Sequence, residues 1–427
     1  MMSEAVLLAL WEEVKGKIEG AEAAEEEQLY AQFLEASGGW ADNERVQALR
    51  LEALAKRGSL LTFLGQTEAA LAVHRQQYDE AGTTYHAVRA LTAIGNQLNQ
   101  LGRHDEALPA LKEALGLAET LNDTAGRAEA LGGLGSLHHH MGKTEEGIHY
   151  LNQALALAQQ TGDVDEQIRN LIRIGFGRYY LGQVDRSIKA FRKGLGLARE
   201  HEVMARIAHI LNNLGECHQM LYDLETAVQY HQEGLEIAEK MNARLLQGDL
   251  CRNLGIDYLR LGREDEGLPY LKKALVISEE THNADIRLQV LYALALAEIG
   301  RGESEAGKGY IEVLEEVAEA QQWLGYKADA MHAWGRYHVA QGAVAEAAAV
   351  WQEAVFVAHE AERRQLLLWQ LHVDLAEVVT NVDLAAAHRR LAAEVVDQIA
   401  YPLQDKGLRQ KFLSAEPIAA LMEVAGR

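Results

Sequence analysis

The residues whose types come nearest to chemistry are three consecutive histidines, His138-His139-His140, and the tripeptide Gly142-Lys143-Thr144 just after them. A run of imidazoles suggests a metal site. Consecutive residues of a helix point about 100° apart, however, so three in a row cannot grip one ion together. A helical metal pair needs ligands at i and i+4, which this stretch lacks. By helical periodicity His138 falls on a buried side, and His139 and His140 on an open one. Gly-Lys-Thr matches the end of a phosphate-binding loop. That loop needs a glycine five positions before Gly142, where the chain has Leu137, and it needs a preceding strand. The two cysteines, Cys217 and Cys251, fit neither a disulfide framework nor a zinc site. They read as buried, reduced thiols. No His-Glu-x-x-His, Gly-x-Ser-x-Gly, EF-hand or dinucleotide fingerprint occurs. These residues predict a chain with no catalytic role, no metal and no cofactor.

What positions them is a repeat. Written in rows of forty, the sequence returns a glycine at Gly95, Gly135, Gly175, Gly215, Gly255 and Gly335, with Ala295 once in its place. Seven residues later a second glycine recurs at Gly102, Gly142, Gly182, Gly262, Gly302 and Gly342; Tyr222 is the one departure. Small residues follow (Ala107, Gly147, Ser187, Ala227), then a mostly large one: Leu111, Leu151, Phe191, His231, Leu271, Ile311 and Trp351. A shorter unit with Gly58, Gly65, Ala70 and His74 precedes these rows, giving eight units. Each row reads as two helices. Val164, Ile168, Leu171 and Ile172 form one apolar stripe at helical period, and Ile188, Phe191 and Leu195 another over Asp185–Arg199. The second glycine ends the first helix in a left-handed conformation. The first glycine lies within a helix and admits a close neighbour. Asn122-Asp123, Gly162-Asp163, Asn242 and Asn283 mark the turns between units, capping one helix and starting the next. Pro109 and Pro269 hold equivalent places, expected in the first turn of a second helix, where no internal hydrogen bond is lost.

Length alone, 427 residues, would suggest two or three domains; a repeat array escapes that expectation because each unit leans only on its neighbours. A net charge of −22 argues against nucleic acid or an anionic membrane surface as partner, since both reward lysine and arginine. No apolar run approaches the ~20 residues a membrane span needs. The segment Ala5–Trp11 is apolar but has no basic residues before it, so it does not read as a signal peptide. The expectation is a soluble, cytoplasmic protein.

The rows resemble the tetratricopeptide repeat. One reads Leu211-Asn-Asn-Leu-Gly215, then His218, Ala227, His231 and Gly234, matching the family's pattern of Leu-Gly, aromatic and small places. The likeness covers about residues 51–362. Its period is forty instead of 34, which is similar to the longer form of Pins-like polarity scaffolds and kinesin light chains. The phrases Asn212-Asn-Leu-Gly215 and Arg252-Asn-Leu-Gly255 carry that likeness. It implies an all-α fold, a right-handed superhelix of stacked antiparallel helix pairs. An N-terminal helical cap would cover residues 1–46 (helices Ala5–Glu19 and Ala21–Leu34), eight repeats 47–362, and a C-terminal helical repeat or cap 363–427. The segment Leu403–Leu413 resembles C-terminal tails of some bacterial repeat-containing regulators.

The resemblance also implies that the first helix of each pair lines a concave groove. Its inward stripe, at i, i+4, i+7 and i+11, gives candidate contacts at Arg89, Asn96, His140, Arg169, Arg173, Phe176, Tyr180, Asn213, Glu216, Asn253 and Arg260. In relatives, places matching Arg169, Arg173, Asn213 and Asn253 touch bound peptide. Arginine and asparagine bond a peptide backbone or carboxylate, and aromatic rings offer apolar platforms. The same residues also suit a solvated polar face, or asparagines bonded to neighbouring helices. Charges along the stripe nearly cancel, so the sign of a ligand stays open. The implied function is an adaptor that binds a protein or peptide. A peptide-sensing regulator and a self-assembling solenoid are the alternatives.

Overall fold

The computed structural model describes residues 3–18, 21–40, 43–361 and 365–427. Glu19, the expected end of the first helix, and the boundary expected at 362/363 lie outside the described residues. Among those described, every regular element is helical. The chain forms two compact units, Met1–Tyr180 and Leu181–Arg427.

The first unit holds α1 (Glu4–Ile18), α2 (Ala23–Ala36), α3 (Glu44–Phe63), α4 (Thr67–Ala81), α5 (Tyr85–Gln100), α6 (His104–Thr120), α7 (Thr124–His140), α8 (Thr144–Thr161) and α9 (Val164–Tyr180). The second holds α10 (Val184–Glu200), α11 (Met204–Met220), α12 (Leu224–Lys240), α13 (Arg244–Arg260), α14 (Glu264–Glu280), α15 (Ala284–Gly300), α16 (Ser304–Ala320), α17 (Leu324–Ala340), α18 (Val344–Glu360), α19 (Gln365–Val378), α20 (Val382–Ala400), α21 (Lys406–Leu413) and α22 (Glu416–Val424). Within each unit successive helices pack on one another. Odd-numbered helices also touch: α3, α5, α7 and α9 in the first unit, α11, α13, α15 and α17 in the second. Those two rows are the faces that the inward stripe occupies.

The forty-residue period is a twenty-residue period in helix starts, from His104 through Val344. Left-handed residues set it. From α3 to α17 the turn that ends each odd helix holds a glycine with positive φ, for example Gly102 at 71° and Gly142 at 77°, except after α11, where Tyr222 takes its place at 54°. After each even helix comes Asn122, Gly162, Glu202, Asn242, His282 or Gln322, also at positive φ. Asp123 and Asn283 then cap the following helix, accepting from Gly126 N at 2.9 Å and Ile286 N at 2.9 Å. Two residues after the glycine the chain is helical again, so α10 starts at Val184, one residue before the expected Asp185, and Pro109 stands five residues after the start of α6 at His104. Pro109 and Pro269 therefore sit inside α6 and α14, one turn deeper than expected. Each forgoes an internal hydrogen bond there.

The in-helix glycines are sockets. Sixteen residues after Gly135, the Leu151 side chain lies where a Cβ would be, its Cγ at 2.5 Å. His231 fills the same place over Gly215, and Trp351 over Gly335. At the start of the first unit, Trp11, Tyr30, Phe33 and Leu54 form a core against α3 and α4, with the Trp11 and Phe33 rings 4.8 Å apart. Arg50 is buried beneath it, paired with Glu80 at 2.7 Å and donating to Leu34 O and Ser37 Oγ, both 2.9 Å away. A second core in the other unit runs through Leu250, Leu254, Leu271, Ile286 and Leu294. Among the described residues no helix is long and apolar enough to cross a membrane.

Candidate protein-interaction face

In the first unit the odd-helix face is open. Arg89 is exposed on α5, and Asn96 is half-buried beside Gly133 of α7. His140 is exposed, its Nδ1 2.9 Å from Asn99 Oδ1 and its ring stacked on His104 at 6.5 Å. Partial burial and the neighbouring His104 push its pKa down, so it is neutral at pH 7. On α9, Arg169 pairs with Glu166 at 2.5 Å and Asp165 at 3.3 Å, and Arg173 approaches Glu166 at 3.8 Å. Gly132 of α7 leaves the room that Arg173 occupies. Phe176 and Tyr180, one turn apart, are 41% and 44% exposed. The Tyr180 ring meets His139 edge-on at 4.3 Å. Burial raises the Glu129 carboxyl pKa against the pull of Arg89 and Arg169.

In the second unit the same register is mostly closed. Asn253 is buried, its Nδ2 donating to Asn212 Oδ1 at 3.0 Å and Glu216 Oε1 at 3.2 Å. Its own oxygen accepts from Arg252 Nη2 at 3.1 Å. Glu216 is half-buried and also accepts from Arg252 at 3.3 Å. Of the readings the sequence left open, bonding to a neighbouring helix describes Asn253. Asn213 is buried too. Below this layer His231 and Asp257, both fully buried, are 2.7 Å apart, and Gln219 donates to the other Asp257 oxygen at 2.7 Å. Farther along, His332 joins Tyr292 (2.7 Å) to Asp374 of α19 (2.8 Å), and Arg336 reaches the other Asp374 oxygen at 2.5 Å. Arg260 is half-buried, its Cζ 5.5 Å from the Tyr222 ring centroid.

The chain's own C-terminal segment folds back onto this unit. Asp185 accepts from the backbone N–H groups of Gln404 (2.8 Å) and Asp405 (3.0 Å), and Lys411 pairs with Asp223 at 2.5 Å. Phe412, Ile418 and Leu421 are buried. Burial alone would raise the Asp223 pKa, but hydrogen bonds from His218, Lys411 and Thr226 hold it well below the usual carboxylate range. Sequence reasoning placed α21 and α22 at a terminus and missed this fold-back. One signal was present. Tyr222 breaks the glycine row, keeps the left-handed backbone at φ 54°, and turns its ring edge-on to Trp369, 6.1 Å away. An L-residue there costs ~1–2 kcal/mol of local strain, which the ring's contacts offset.

The chemical decoys disperse. His138 is buried with Nδ1 2.8 Å from Leu134 O, His139 lies against Tyr180, and His140 points to Asn99. Gly142-Lys143-Thr144 is the turn from α7 into α8. Both cysteines are free and buried, and burial pushes their thiol pKa values up to about 12 for Cys217 and about 11 for Cys251. Among the described residues no group of three His, Cys, Asp or Glu side chains is placed to hold a metal.

A helix-pair array with open and covered faces defines an α-solenoid interaction protein. Two sequence profiles of the tetratricopeptide repeat match it, one over residues 86–160 and 126–200, the other over 207–242 and 249–285. The chain carries tetratricopeptide repeats over these residues. Repeats of this kind bind protein or peptide partners and are generally non-enzymatic. No curated protein matches the chain in sequence. Among solved structures it is similar to a Rap protein complexed with competence and sporulation factor, with TM-score 0.56 and 16% identity over 84% of this chain and 99% of that one. It is also similar to aspartyl phosphate phosphatase F from Bacillus subtilis, with TM-score 0.54 and 15% identity over 84% and 95%. A third likeness is a signal transduction ATPase with a tetratricopeptide repeat sensor from Pyrococcus horikoshii, with TM-score 0.59 and 15% identity over 84% of this chain and 55% of that one. At these identities the likeness is one of fold.

Proposed function

We propose that this protein is an adaptor whose odd-helix face holds a peptide or helical segment of a partner protein. Arg89, Asn96, His140, Arg169, Arg173, Phe176 and Tyr180 make the contacts in the first unit. Asn213, Glu216, Asn253 and Arg260 hold the same repeat places on the odd-helix face of the second unit, taken by itself. The observation that carries the reading is the pair Phe176 and Tyr180, two large rings left 41% and 44% exposed on one face of α9 beside two arginines. Exposed aromatics flanked by arginine are the side chains that dominate protein interfaces. The likeness to a Rap protein solved with a bound factor supports the same reading. The C-terminal segment folded onto the second unit favours a regulated form of it, in which access to Arg260 changes when that segment moves.

The test is titration of a labelled peptide library against the wild type and a Phe176→Ala/Tyr180→Ala variant. The expected result is a set of wild-type binders that the variant holds about tenfold more weakly or worse. Equal binding by both proteins would remove α9 from the contact surface.

A further inference from the structure

Between the odd-helix face of the second unit and its own C-terminal helices lies a cavity of about 870 Å³. That is within the ordinary range of small-molecule sites. Side chains of α13, α15 and α17 form one wall, and those of α19, α20 and α22 the other. Leu296, Val339, Val373 and Leu421 make much of the lining apolar.

At one end Arg260, Tyr222 and Trp369 meet. Arg260 lies over the Tyr222 ring, and Trp369 stands edge-on to the same ring. Two N–H donors here have no acceptor among the described residues: Arg260 Nη1 and Trp369 Nε1, both buried atoms. Trp369 as a whole is only 5% exposed. A buried donor without an acceptor costs ~1–3 kcal/mol, and more when charged. Two such donors, both on residues that line one cavity, call for an acceptor from outside the chain, which a small side-chain rotation would let a ligand reach. Arg336 is already committed to Asp374. The lining holds three arginines (Arg260, Arg336 and Arg389) against two carboxylates (Asp374 and Glu377), a positive surplus inside a chain of net charge −22.

We infer that this cavity binds a small molecule with an apolar body ending in one carboxylate. The carboxylate's two oxygens accept from Arg260 Nη1 and Trp369 Nε1, and the body lies along the aliphatic wall. A fatty acid and the free end of a short apolar peptide share that chemistry. Because α22 forms part of the wall, an occupied cavity also holds the C-terminal cover in place. The inference is independent of the Phe176 and Tyr180 contacts.

The experiment is calorimetric titration of the full chain with decanoate, decanamide and N-acetyl-trileucine. It is repeated for Arg260→Gln, Trp369→Phe and Ala340→Phe, each first checked for wild-type helicity and melting. At least one of the two carboxylates is expected to bind saturably at one site, and which one does so identifies the source. Decanamide and Arg260→Gln are each expected to weaken binding tenfold or more, and Trp369→Phe severalfold. Ala340→Phe fills the cavity without touching either donor, and is expected to abolish binding. The inference is overturned if neither carboxylate binds, if decanamide binds as well as decanoate, or if Arg260→Gln or Ala340→Phe binds like the wild type.

Discussion

The two units carry the same forty-residue pattern and put it to opposite use. In the first, the odd-helix face ends in exposed Arg89, His140, Phe176 and Tyr180. In the second, Asn253 is bonded into a network of Asn212, Glu216 and Arg252, and Arg260 lines a cavity that α22 helps to wall. The register of a repeat therefore fixes which way a side chain faces. What that side chain meets depends on non-repeating parts, here a C-terminal segment pinned at Asp185 and Asp223.

The strongest test of this contrast is to remove the cover. Truncation after Tyr401 withdraws Leu403, Phe412, Ile418 and Leu421, all buried. At ~1.5–3 kcal/mol for each large apolar side chain, the second unit is expected to lose about 5 kcal/mol or more. Hydrogen exchange should rise in α11, α13 and α17 and stay unchanged in α3 to α7. Equal change in both units would mean that the cover does not belong to the second alone.

Acid separates the units next. Burial, then His388 and His359, pushes the His372 pKa down to about 4. The unfolded chain takes its proton near pH 6.5 and the folded chain only near 4, so stability is present above pH 6.5 and is lost as pH falls from there to about 4. The expected loss is ~3 kcal/mol, from the 1.36 kcal/mol that each pH unit of pKa difference represents. Denaturant unfolding at pH 7 and pH 4 measures it, and a His372→Asn variant should lack most of the drop. Asp223 acts in the same sense at lower pH. Its carboxylate is held below the ordinary range, so its link to Lys411 is present above about pH 4 and fails as pH falls further toward its folded value.

Equivalent sockets sharpen the comparison at smaller scale. Gly95→Ala in the first unit meets only the branched end of Leu111, whereas Gly335→Ala meets Trp351, whose Nε1 is bonded to His332 O at 3.0 Å. Overpacking costs ~1–3 kcal/mol. Gly335→Ala is expected at the upper end and Gly95→Ala at the lower, read from denaturation midpoints. The smallest effect is expected from Tyr222→Gly, which relieves a left-handed tyrosine but forfeits its contacts with Arg260 and Trp369. Its net stability should stay within ~1 kcal/mol of wild type. A larger loss would mean that the ring holds the cover more firmly than its strain implies.

Most of the array was legible because its signals are local. A glycine at Gly182, an apolar stripe over Ile168 and Leu171, and a capping Asp123 each act within a few residues. The surroundings of Asn253 and Arg260 were not legible, since they depend on Glu216, 37 residues away, and on α19 to α22. No periodicity reports contacts between residues as far apart as Asp185 and Asp405. The exception was Tyr222, where a broken glycine row marked a side chain recruited by something outside the repeat.

The bond between Asp185 and the backbone of Asp405 spans 220 positions of chain. A plain solenoid melts like a zipper, from whichever end is loosest. Tying the last segment to the first helix of its unit turns that zipper into a loop. Closing the loop requires contacts of large sequence separation, which slows folding. Once closed, the loop lets α20 fray only after the Asp185 and Asp223 contacts have broken.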